Sequence, residues 1–263
     1  MTLNGVGIIC ALATEARHLG PAVERIASAA PRQSMGAGSA RPIPLMSLQD
    51  GTLLAVSGMG CAAARHAAHA LIAAGARALA SWGMAGGLDP KLAPGTICLP
   101  DEVLSEHGTS VRTAHYWRDR LSAAVGRRER VHHGRLVTTA HLVSSLGDKA
   151  TLFRQSGAAA VDMESAAVGE VASHYGFPFI AVRVIVDGAH DILPRAVTAA
   201  ADAAGQIRLW QLIGSLARAP ADLAPVIRLA RRYRSASRSL AVMARSAPPA
   251  RHAFPAVPDA VRS

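Results

Sequence analysis

The sequence of residues 78–87 is Ala-Leu-Ala-Ser-Trp-Gly-Met-Ala-Gly-Gly, an apolar run that passes into a glycine-rich stretch. The apolar run predicts a buried strand, and the glycines predict a loop at its carboxyl end where the backbone approaches a ligand closely. The same pattern occurs upstream, where residues 53–57 lead into Gly58-Met59-Gly60. Neither loop contains the lysine of a phosphate-binding loop, so each alone is better explained as a tight turn from a strand into a helix. Two such loops in one sheet favour a ligand site.

Strands and helices alternate along the chain. Apolar runs predict strands at 6–12, 53–57, 78–82, 96–99, 136–139, 158–161 and 178–186, and helices are predicted at 61–74, 164–175, 196–216 and 225–245. This alternation predicts an α/β fold of three layers with a mixed, largely parallel central sheet, whose functional groups gather beyond the carboxyl ends of the strands. Residues 1–245 are predicted to form one catalytic domain, which includes basic helices from about residue 206. Residues 246–263, with four prolines, are predicted to be a loosely ordered tail.

Composition excludes several classes of protein. The chain has 263 residues, of which 50% are hydrophobic and 17% charged, which excludes general disorder. Its three cysteines are far apart and form no disulfide framework, so a reducing cytoplasm is expected. No apolar run reaches the roughly 20 residues of a membrane-spanning helix, and the start lacks the basic segment of a signal peptide.

The net charge of +10 is concentrated near the carboxyl end, where residues 208–263 contain ten arginines and two aspartates. With a nearly neutral body and 4% aromatic residues, the chain is not expected to bind nucleic acid. Within the predicted helix 225–245, apolar residues alternate with a set of arginines: Arg228, Arg231, Arg232, Arg234 and Arg238. This pattern suits an anionic membrane surface, and the alternative is a solvated helix.

Four carboxylates stand at predicted strand ends and are candidates for chemistry: Glu15, Asp162, Glu164 and Asp187. Asp162 is best explained as the cap of the following helix, which leaves Glu164 free to accept hydrogen bonds from vicinal hydroxyls. Asp187 follows a buried strand, where desolvation raises the pKa of a carboxyl group as a general acid requires, although a turn cap is an alternative. The eleven histidines show no ligand set of known spacing, so neither a metal nor a redox cofactor is predicted.

Five segments together resemble the nucleoside phosphorylase and nucleosidase family, especially the branch of methylthioadenosine/S-adenosylhomocysteine nucleosidase. They are residues 7–15, 57–60, 83–88, 161–164 and 183–187. Five motifs in the same order are far more specific than any one of them. Within the family the chain looks most like the hopanoid-associated phosphorylases, which remove adenine from adenosylhopane.

The resemblance implies a role for each carboxylate. Asp187 matches the acid that protonates or hydrogen-bonds the purine near N7, Glu15 the residue that positions the attacking water, and Glu164 the residue that holds the ribose hydroxyls. Met163 would pack against the sugar. The remaining substrate contacts implied are Gly58, Gly60, Gly83 and Met84 along the two glycine stretches, with Leu142 and Val143 at the base edge.

Three positions depart from the family pattern. Met84 stands where a serine or threonine is common, Ser81 replaces the arginine that bacterial purine phosphorylases place before this loop, and Val186 replaces a serine before the catalytic aspartate. Positive charge for an anion would have to come from Arg17, Arg65 or Arg183. Hydrolysis and phosphorolysis therefore both stay open, with inorganic phosphate as a co-substrate in the second case.

The predicted function is cleavage of the N-glycosidic bond of a 5′-modified adenosine, with adenosylhopane as the expected substrate. One alternative is a methylthioadenosine/S-adenosylhomocysteine nucleosidase. The other is a nucleoside-binding protein without turnover, which Met84 and the missing arginine favour and the three family carboxylates argue against. The resemblance implies a cytoplasmic homo-oligomer, placed at the periphery of the inner membrane if the basic helix binds lipid.

Overall fold

The computed structural model describes residues 5–26, 43–126, 129–192, 223–249 and 253. Its strands are β1 (Gly5–Cys10), β2 (Ala22–Ile26), β3 (Leu45–Leu48), β4 (Leu53–Val56), β5 (Ala76–Gly87), β6 (Ile97–Cys98), β7 (Glu102–Ser105), β8 (Ser110–Arg112), β9 (Val131–His132), β10 (Arg135–Thr138), β11 (Ala160–Asp162) and β12 (Phe179–Asp187). Its helices are α1 (Ala13–Ala16), a 3-10 turn (Arg17–Leu19), α2 (Cys61–Ala73), α3 (His115–Val125), α4 (Leu146–Ser156), α5 (Ser165–His174) and α6 (Leu223–Ser246).

One mixed sheet joins all of these strands. Its centre is parallel: β5 pairs with β1 on one side and β12 on the other, and β4 continues beyond β1. Antiparallel pairs join β2 to β3, β3 to β4 and β7 to β8 further out, and they also join β11 to β5 and β6 to β12. The carboxyl ends of β1, β5 and β12 therefore meet at one edge of the sheet, where the sequence predicts the functional groups.

Helices cover both faces of the sheet and form two apolar cores. Successive residues of β1 alternate between them, so that Ile9 joins the core beneath α2 and α5, while Ile8 and Cys10 join the core beneath α3 and α6. Both faces of the central strands are thus buried, which explains their nearly unbroken apolar sequences. The three-layer α/β prediction is confirmed.

The helix predicted at 61–74 is α2, and its ends are set by glycines. Gly60 precedes it with φ +96° and Gly75 follows it with φ +107°, conformations that residues with a Cβ rarely adopt. Between them, the apolar residues Ala64, Ala67 and Leu71 recur at helical spacing and are fully buried. The strand-to-helix turn predicted at Gly58-Met59-Gly60, which leads from β4 into α2, is therefore confirmed.

The prediction of a loop at Gly83–Gly87 is wrong. These residues continue β5, which runs unbroken to Gly87. Along this stretch β12 supplies a parallel partner as far as Gly86, and β11 pairs in antiparallel fashion with Gly86 and Gly87. The glycines permit close approach of neighbouring groups within a strand, where the sequence suggested a turn.

One helix predicted near the carboxyl end is confirmed, and packing continues past that helix into residues that were predicted to be loosely ordered. The helix predicted at 225–245 is α6, whereas the one predicted at 196–216 lies outside the described residues. Within the segment expected to be a loose tail, Ala247 and Ala253 are buried. Two side chains of α3 hold this segment: Trp117 Nε1 donates to the Pro249 carbonyl oxygen at 3.0 Å and the Tyr116 hydroxyl donates to that of Ala253 at 3.1 Å.

Of the helices within the described ranges, none combines the length and the apolarity that crossing a membrane requires.

Candidate active site

Glu15 lies in α1, directly after β1, and both of its carboxylate oxygens are held by backbone amides. The Met84 N–H donates to Oε1 at 2.9 Å and the Leu12 N–H donates to Oε2 at 3.0 Å. Burial raises the pKa of Glu15, and the nearby Arg183 guanidinium opposes this effect without cancelling it. Glu15 is therefore a fixed carboxylate and a stronger base than a glutamate in water.

Gly83 allows Glu15 and Arg183 to approach each other across β5. A Cβ at this position would lie 2.5 Å from Arg183 Nη1 and 2.6 Å from Glu15 Oε1, distances that side chains do not tolerate. Glycine is required here by the space that the two charged groups occupy.

Arg183 is the cation at the centre of the site, and it comes from the middle of β12. Its Nε donates to Asp162 Oδ2 at 2.8 Å, and its Nη2 donates to Ser81 Oγ at 2.6 Å and to Ser165 Oγ at 3.1 Å. The departure noted at Ser81 is thereby explained, because the serine hydroxyl accepts a hydrogen bond from an arginine on the neighbouring strand. Arg17 and Arg65 are exposed, and Arg65 pairs with Glu170 at 2.6 Å.

Asp162 and Glu164 have different partners, and the helix cap predicted for Asp162 is confirmed. Asp162 caps α5 by accepting the Ser165 N–H at 3.2 Å. Glu164 instead turns to the other glycine stretch, where the Gly60 N–H donates to its Oε1 at 2.9 Å, and its Oε2 lies 3.8 Å from Arg183 Nη2. The amides of Gly60 and Met84, expected to face a ligand, are both bound to carboxylates.

Asp187 is the last residue of β12 and lies opposite Gly86 of β5. Its carboxylate is bound by a side chain of helix α4. The Lys149 ammonium group, in α4, donates to Asp187 Oδ2 in a short ion pair and to the Gly188 carbonyl oxygen at 2.8 Å. Burial raises the pKa of Asp187, and the positive charge of Lys149 partly offsets that rise. The geometry therefore supplies a buried carboxyl group whose proton affinity is increased.

The other predicted contacts border these carboxylates. Val143 packs against a small apolar cluster that includes Val161. A Cβ at Gly86 would lie 3.3 Å from Val161 and 3.6 Å from the Asp187 oxygens, so this cluster reaches the neighbourhood of Asp187. Leu142, beside Val143, is 50% exposed. Met163 lies between Asp162 and Glu164 with its carbonyl oxygen 3.3 Å from Cys61 Sγ, and the Gly58 N–H donates to the Ala11 carbonyl oxygen at 3.1 Å.

Lys149 is a residue of the candidate site that the sequence analysis did not identify. Helix α4 was not predicted, and no local pattern relates Lys149 to an aspartate 38 residues away. The composition does set Lys149 apart in one respect, because Lys149 and Lys91 are the only lysines among the 28 lysine and arginine residues. Of these two, Lys91 is exposed and Lys149 is buried, so burial in the structure is what distinguishes Lys149.

We expect the free energy of unfolding to fall as pH rises from about 4.5 to about 7, partly because of Glu164. Burial raises the pKa of Glu164 from 4.5 to about 7, against the opposing charge of Arg183 and with added repulsion from Asp162 and Glu15. In this window the folded state binds more protons than the unfolded state, so stability decreases with pH. The difference in pKa corresponds to roughly 3 kcal/mol.

Urea unfolding at several pH values measures this slope. Glu164→Gln should flatten it, whereas Glu24→Gln, which alters an exposed glutamate of β2, should keep the wild-type slope. Comparison of variants cancels the general charge repulsion that the basic chain experiences at low pH. Identical slopes for Glu164→Gln and the wild type would refute the assignment.

The same fold occurs in solved nucleosidases. The 5′-methylthioadenosine/S-adenosylhomocysteine nucleosidase of Neisseria meningitidis is 19% identical, with a TM-score of 0.65 over 92% of this chain and 96% of that one. The Helicobacter pylori enzyme of the same name is 16% identical, with a TM-score of 0.64 over 92% and 98%. Futalosine hydrolase of Helicobacter pylori is 17% identical, with a TM-score of 0.63 over 91% and 97%. At these identities the likeness is one of fold, and it confirms the predicted nucleoside-phosphorylase-like architecture.

A search of curated protein sequences returns no significant match. A family model described as the phosphorylase superfamily matches residues 6–213, which contain all five motifs and every candidate site residue. The predicted enzyme class, a nucleoside phosphorylase or nucleosidase, is thus confirmed at the level of the family. By this match over most of its length, the chain belongs to the phosphorylase superfamily.

Proposed function

We propose that the protein hydrolyses the N-glycosidic bond of a 5′-modified adenosine and releases adenine. The observation that carries this proposal is the gathering of three buried carboxyl groups, Glu15, Glu164 and Asp187, at one edge of the sheet. Glycosidic cleavage through an oxocarbenium-like transition state uses one carboxyl group as the acid for the leaving group and another as the base for the nucleophile. The increased pKa of both Asp187 and Glu15 suits these two roles.

In this proposal each group acts on a different part of the nucleoside. Asp187 gives its proton to the purine near N7, so that adenine leaves as a neutral base while the ribose gains positive charge. Glu15 accepts a proton from the attacking water. Glu164 accepts hydrogen bonds from the ribose hydroxyls, with Met163 against the sugar and Leu142 and Val143 at the base.

Electrostatics favour water over phosphate as the nucleophile. Three carboxylates, Glu15, Asp162 and Glu164, act on the single guanidinium group of Arg183, which is itself paired with Asp162. The amides of Gly60 and Met84 already serve carboxylates. A phosphate dianion would meet negative charge here, whereas a water molecule meets acceptors for its protons.

Two classes of substrate are proposed for this site. Adenosylhopane is supported by the resemblance to hopanoid-associated phosphorylases and by the basic helix described next. Methylthioadenosine or S-adenosylhomocysteine is the alternative, supported by the solved nucleosidases that share the fold. Both are adenosines modified at the 5′ position, so the proposed chemistry at the ribose is the same.

We also propose that α6 binds an anionic membrane, which would bring a cytoplasmic enzyme to a lipid-linked substrate. Arg231, Arg234, Arg238 and Arg245 recur along its exposed face, over about 21 Å of helix at 1.5 Å per residue. The opposite face is buried in the core. Within the described part of the chain, none of these four has an ion-pair partner. A row of exposed arginines matches a negatively charged lipid surface.

The first experiment measures adenine release from adenosylhopane, methylthioadenosine and S-adenosylhomocysteine, each with and without phosphate. Release without phosphate is expected, and the preferred substrate distinguishes the two proposed substrate classes. Release that depends on phosphate would replace hydrolysis by phosphorolysis. No release from any of the three would favour a nucleoside-binding protein without turnover.

Vesicles with and without anionic lipid test the membrane proposal. The triple variant R231Q/R234Q/R238Q should lose binding to anionic vesicles. R112Q/R130Q/R154Q, which removes the same charge from exposed arginines elsewhere, should retain it. Equal binding by both variants would show that α6 is not the contact surface.

A further inference from the structure

Lys149 is fully buried, and its ammonium group makes three hydrogen bonds. It donates to Asp187 Oδ2, to the Gly188 carbonyl oxygen at 2.8 Å and to the Asp191 carbonyl oxygen at 3.1 Å. These three acceptors match the three protons that an ammonium group carries. Lys149 thereby fixes both the carboxylate at the end of β12 and the backbone turn that follows it.

The use of lysine at this position is itself informative. A buried charge is costly unless it is paired and hydrogen-bonded, and a planar guanidinium group cannot direct donors to three acceptors grouped around one point. Arginine supplies nearly all positive charge elsewhere in the chain. The geometry at Asp187 thus requires the compact ammonium group.

The ion pair leaves the two oxygens of Asp187 unequal. Oδ2 is bound to Lys149, whereas Oδ1 receives no hydrogen bond from any described residue. Gly86 lies beside the carboxylate, and a Cβ there would be in van der Waals contact with both oxygens at 3.6 Å. One oxygen is therefore anchored and the other is available to a ligand.

The other two charged groups near Asp187 are Asp191 and Arg232, and they form an ion pair with each other. Asp191 Oδ2 accepts the Gly188 N–H at 2.8 Å, and its Oδ1 pairs with Arg232 of α6 at 2.6 Å. Lys149 is thus the cation in direct contact with Asp187, and Asp191 and Arg232 act from further away.

On the basis of the proposed nucleosidase function, we propose that Lys149 is a positioning residue for Asp187: its ammonium group anchors Oδ2 and leaves Oδ1 to meet the purine. In the family pattern a serine precedes the catalytic aspartate, and here Val186 takes that place. Lys149, from α4, supplies the polar contact that Val186 does not provide.

A change in the titration of Asp187 should accompany loss of Lys149. The ammonium charge lowers the pKa of Asp187 against the effect of burial, so its removal should raise that pKa further. The expected rise is about one pH unit or more, the usual effect of an opposite charge in contact.

The test compares Lys149→Met with Lys91→Met, which removes the other lysine from an exposed site. Carboxyl ¹³C NMR, assigned with Asp187→Asn, follows the titration of Asp187, and calorimetry measures adenine binding. Lys149→Met should raise the pKa of Asp187 and weaken adenine binding by about tenfold or more, because the carboxylate that meets the purine loses the charge-assisted hydrogen bond that holds it in place, while Lys91→Met changes neither. If Lys149→Met does not fold, Lys149→Gln, which keeps N–H donors without the charge, replaces it.

Neither readout needs turnover, so the result separates this proposal from the proposed reaction. An unchanged Asp187 titration, or unchanged adenine binding, would overturn the role of Lys149 even in an active enzyme. In an active enzyme, Lys149→Met should also lower kcat more than it changes KM. The limb on which activity falls with rising pH should move to higher pH, because the general acid then keeps its proton longer.

Discussion

Asp187→Asn is expected to lower kcat/KM for adenine release by about 10²- to 10⁴-fold, the usual contribution of a general acid. Asparagine has the same size and keeps a hydrogen-bonding amide, but it has no proton to transfer to the leaving base. Neutral asparagine also leaves the buried Lys149 without its counter-ion. Steady-state assays with the preferred substrate measure the loss, and direct binding of the nucleoside shows whether the defect lies in the chemical step.

Asp148→Asn is the matched control for Asp187→Asn. Asp148 is exposed on α4, one residue before Lys149, and its carboxylate contacts Ser145 at the start of the helix. Its replacement should leave kcat/KM within twofold of wild type. Adenine release by Asp187→Asn at the wild-type rate would remove Asp187 from the mechanism.

Arg183→Met is expected to cost about 3–5 kcal/mol of unfolding free energy, the usual effect of removing one partner of a buried ion pair. Without the guanidinium group, Asp162 loses its ion pair, and two further buried carboxylates, Glu15 and Glu164, lose the charge that lowers the pKa of each. Glu15 and Glu164 then bind protons more readily. The variant should therefore lose less stability at pH 5 than at pH 8, because protonation removes the uncompensated negative charge.

Arg65→Met gives the comparison for an exposed ion pair. Arg65 contacts Glu170 at 2.6 Å, a distance as short as those at Arg183, but both side chains are accessible to solvent. The expected loss is below about 1 kcal/mol. Urea unfolding of Arg65→Met and Arg183→Met at one pH measures the two losses of unfolding free energy. Equal losses would mean that the buried ion pairs of Arg183 contribute no more than a surface pair.

The sequence was sufficient to locate the main strands and to identify the carboxylates at their ends. Apolar runs bounded by glycine or by a carboxylate are local signals, and β1, β4, β10 and β12 all carry them. The error at Gly83–Gly87 had a non-local cause. Glycines favour a loop only when no neighbouring strand supplies hydrogen bonds, and β12 and β11 do so from far along the chain.

The contacts between site residues could not be predicted from the sequence, because they too depend on strands and helices that are far apart along the chain. Arg183 was one of three candidate cations, and nothing local distinguishes it from Arg17 or Arg65. Its selection depends on the register that places it opposite Gly83, where Glu15 also arrives. The pairing of Lys149 with Asp187 likewise depends on how α4 packs at the end of β12.

The place of β5 in the centre of the sheet affects the order in which the nascent chain can fold. Its neighbour β1 leaves the ribosome before it, whereas β12 follows only after β11 and α5 have been synthesised. Until then one edge of β5 lacks its partner, and Glu15 has no guanidinium group beside it. An unpaired apolar edge is the feature that chaperones protect and that aggregation exploits. Emergence of residues 179–187 therefore closes the sheet and completes the site in a single event.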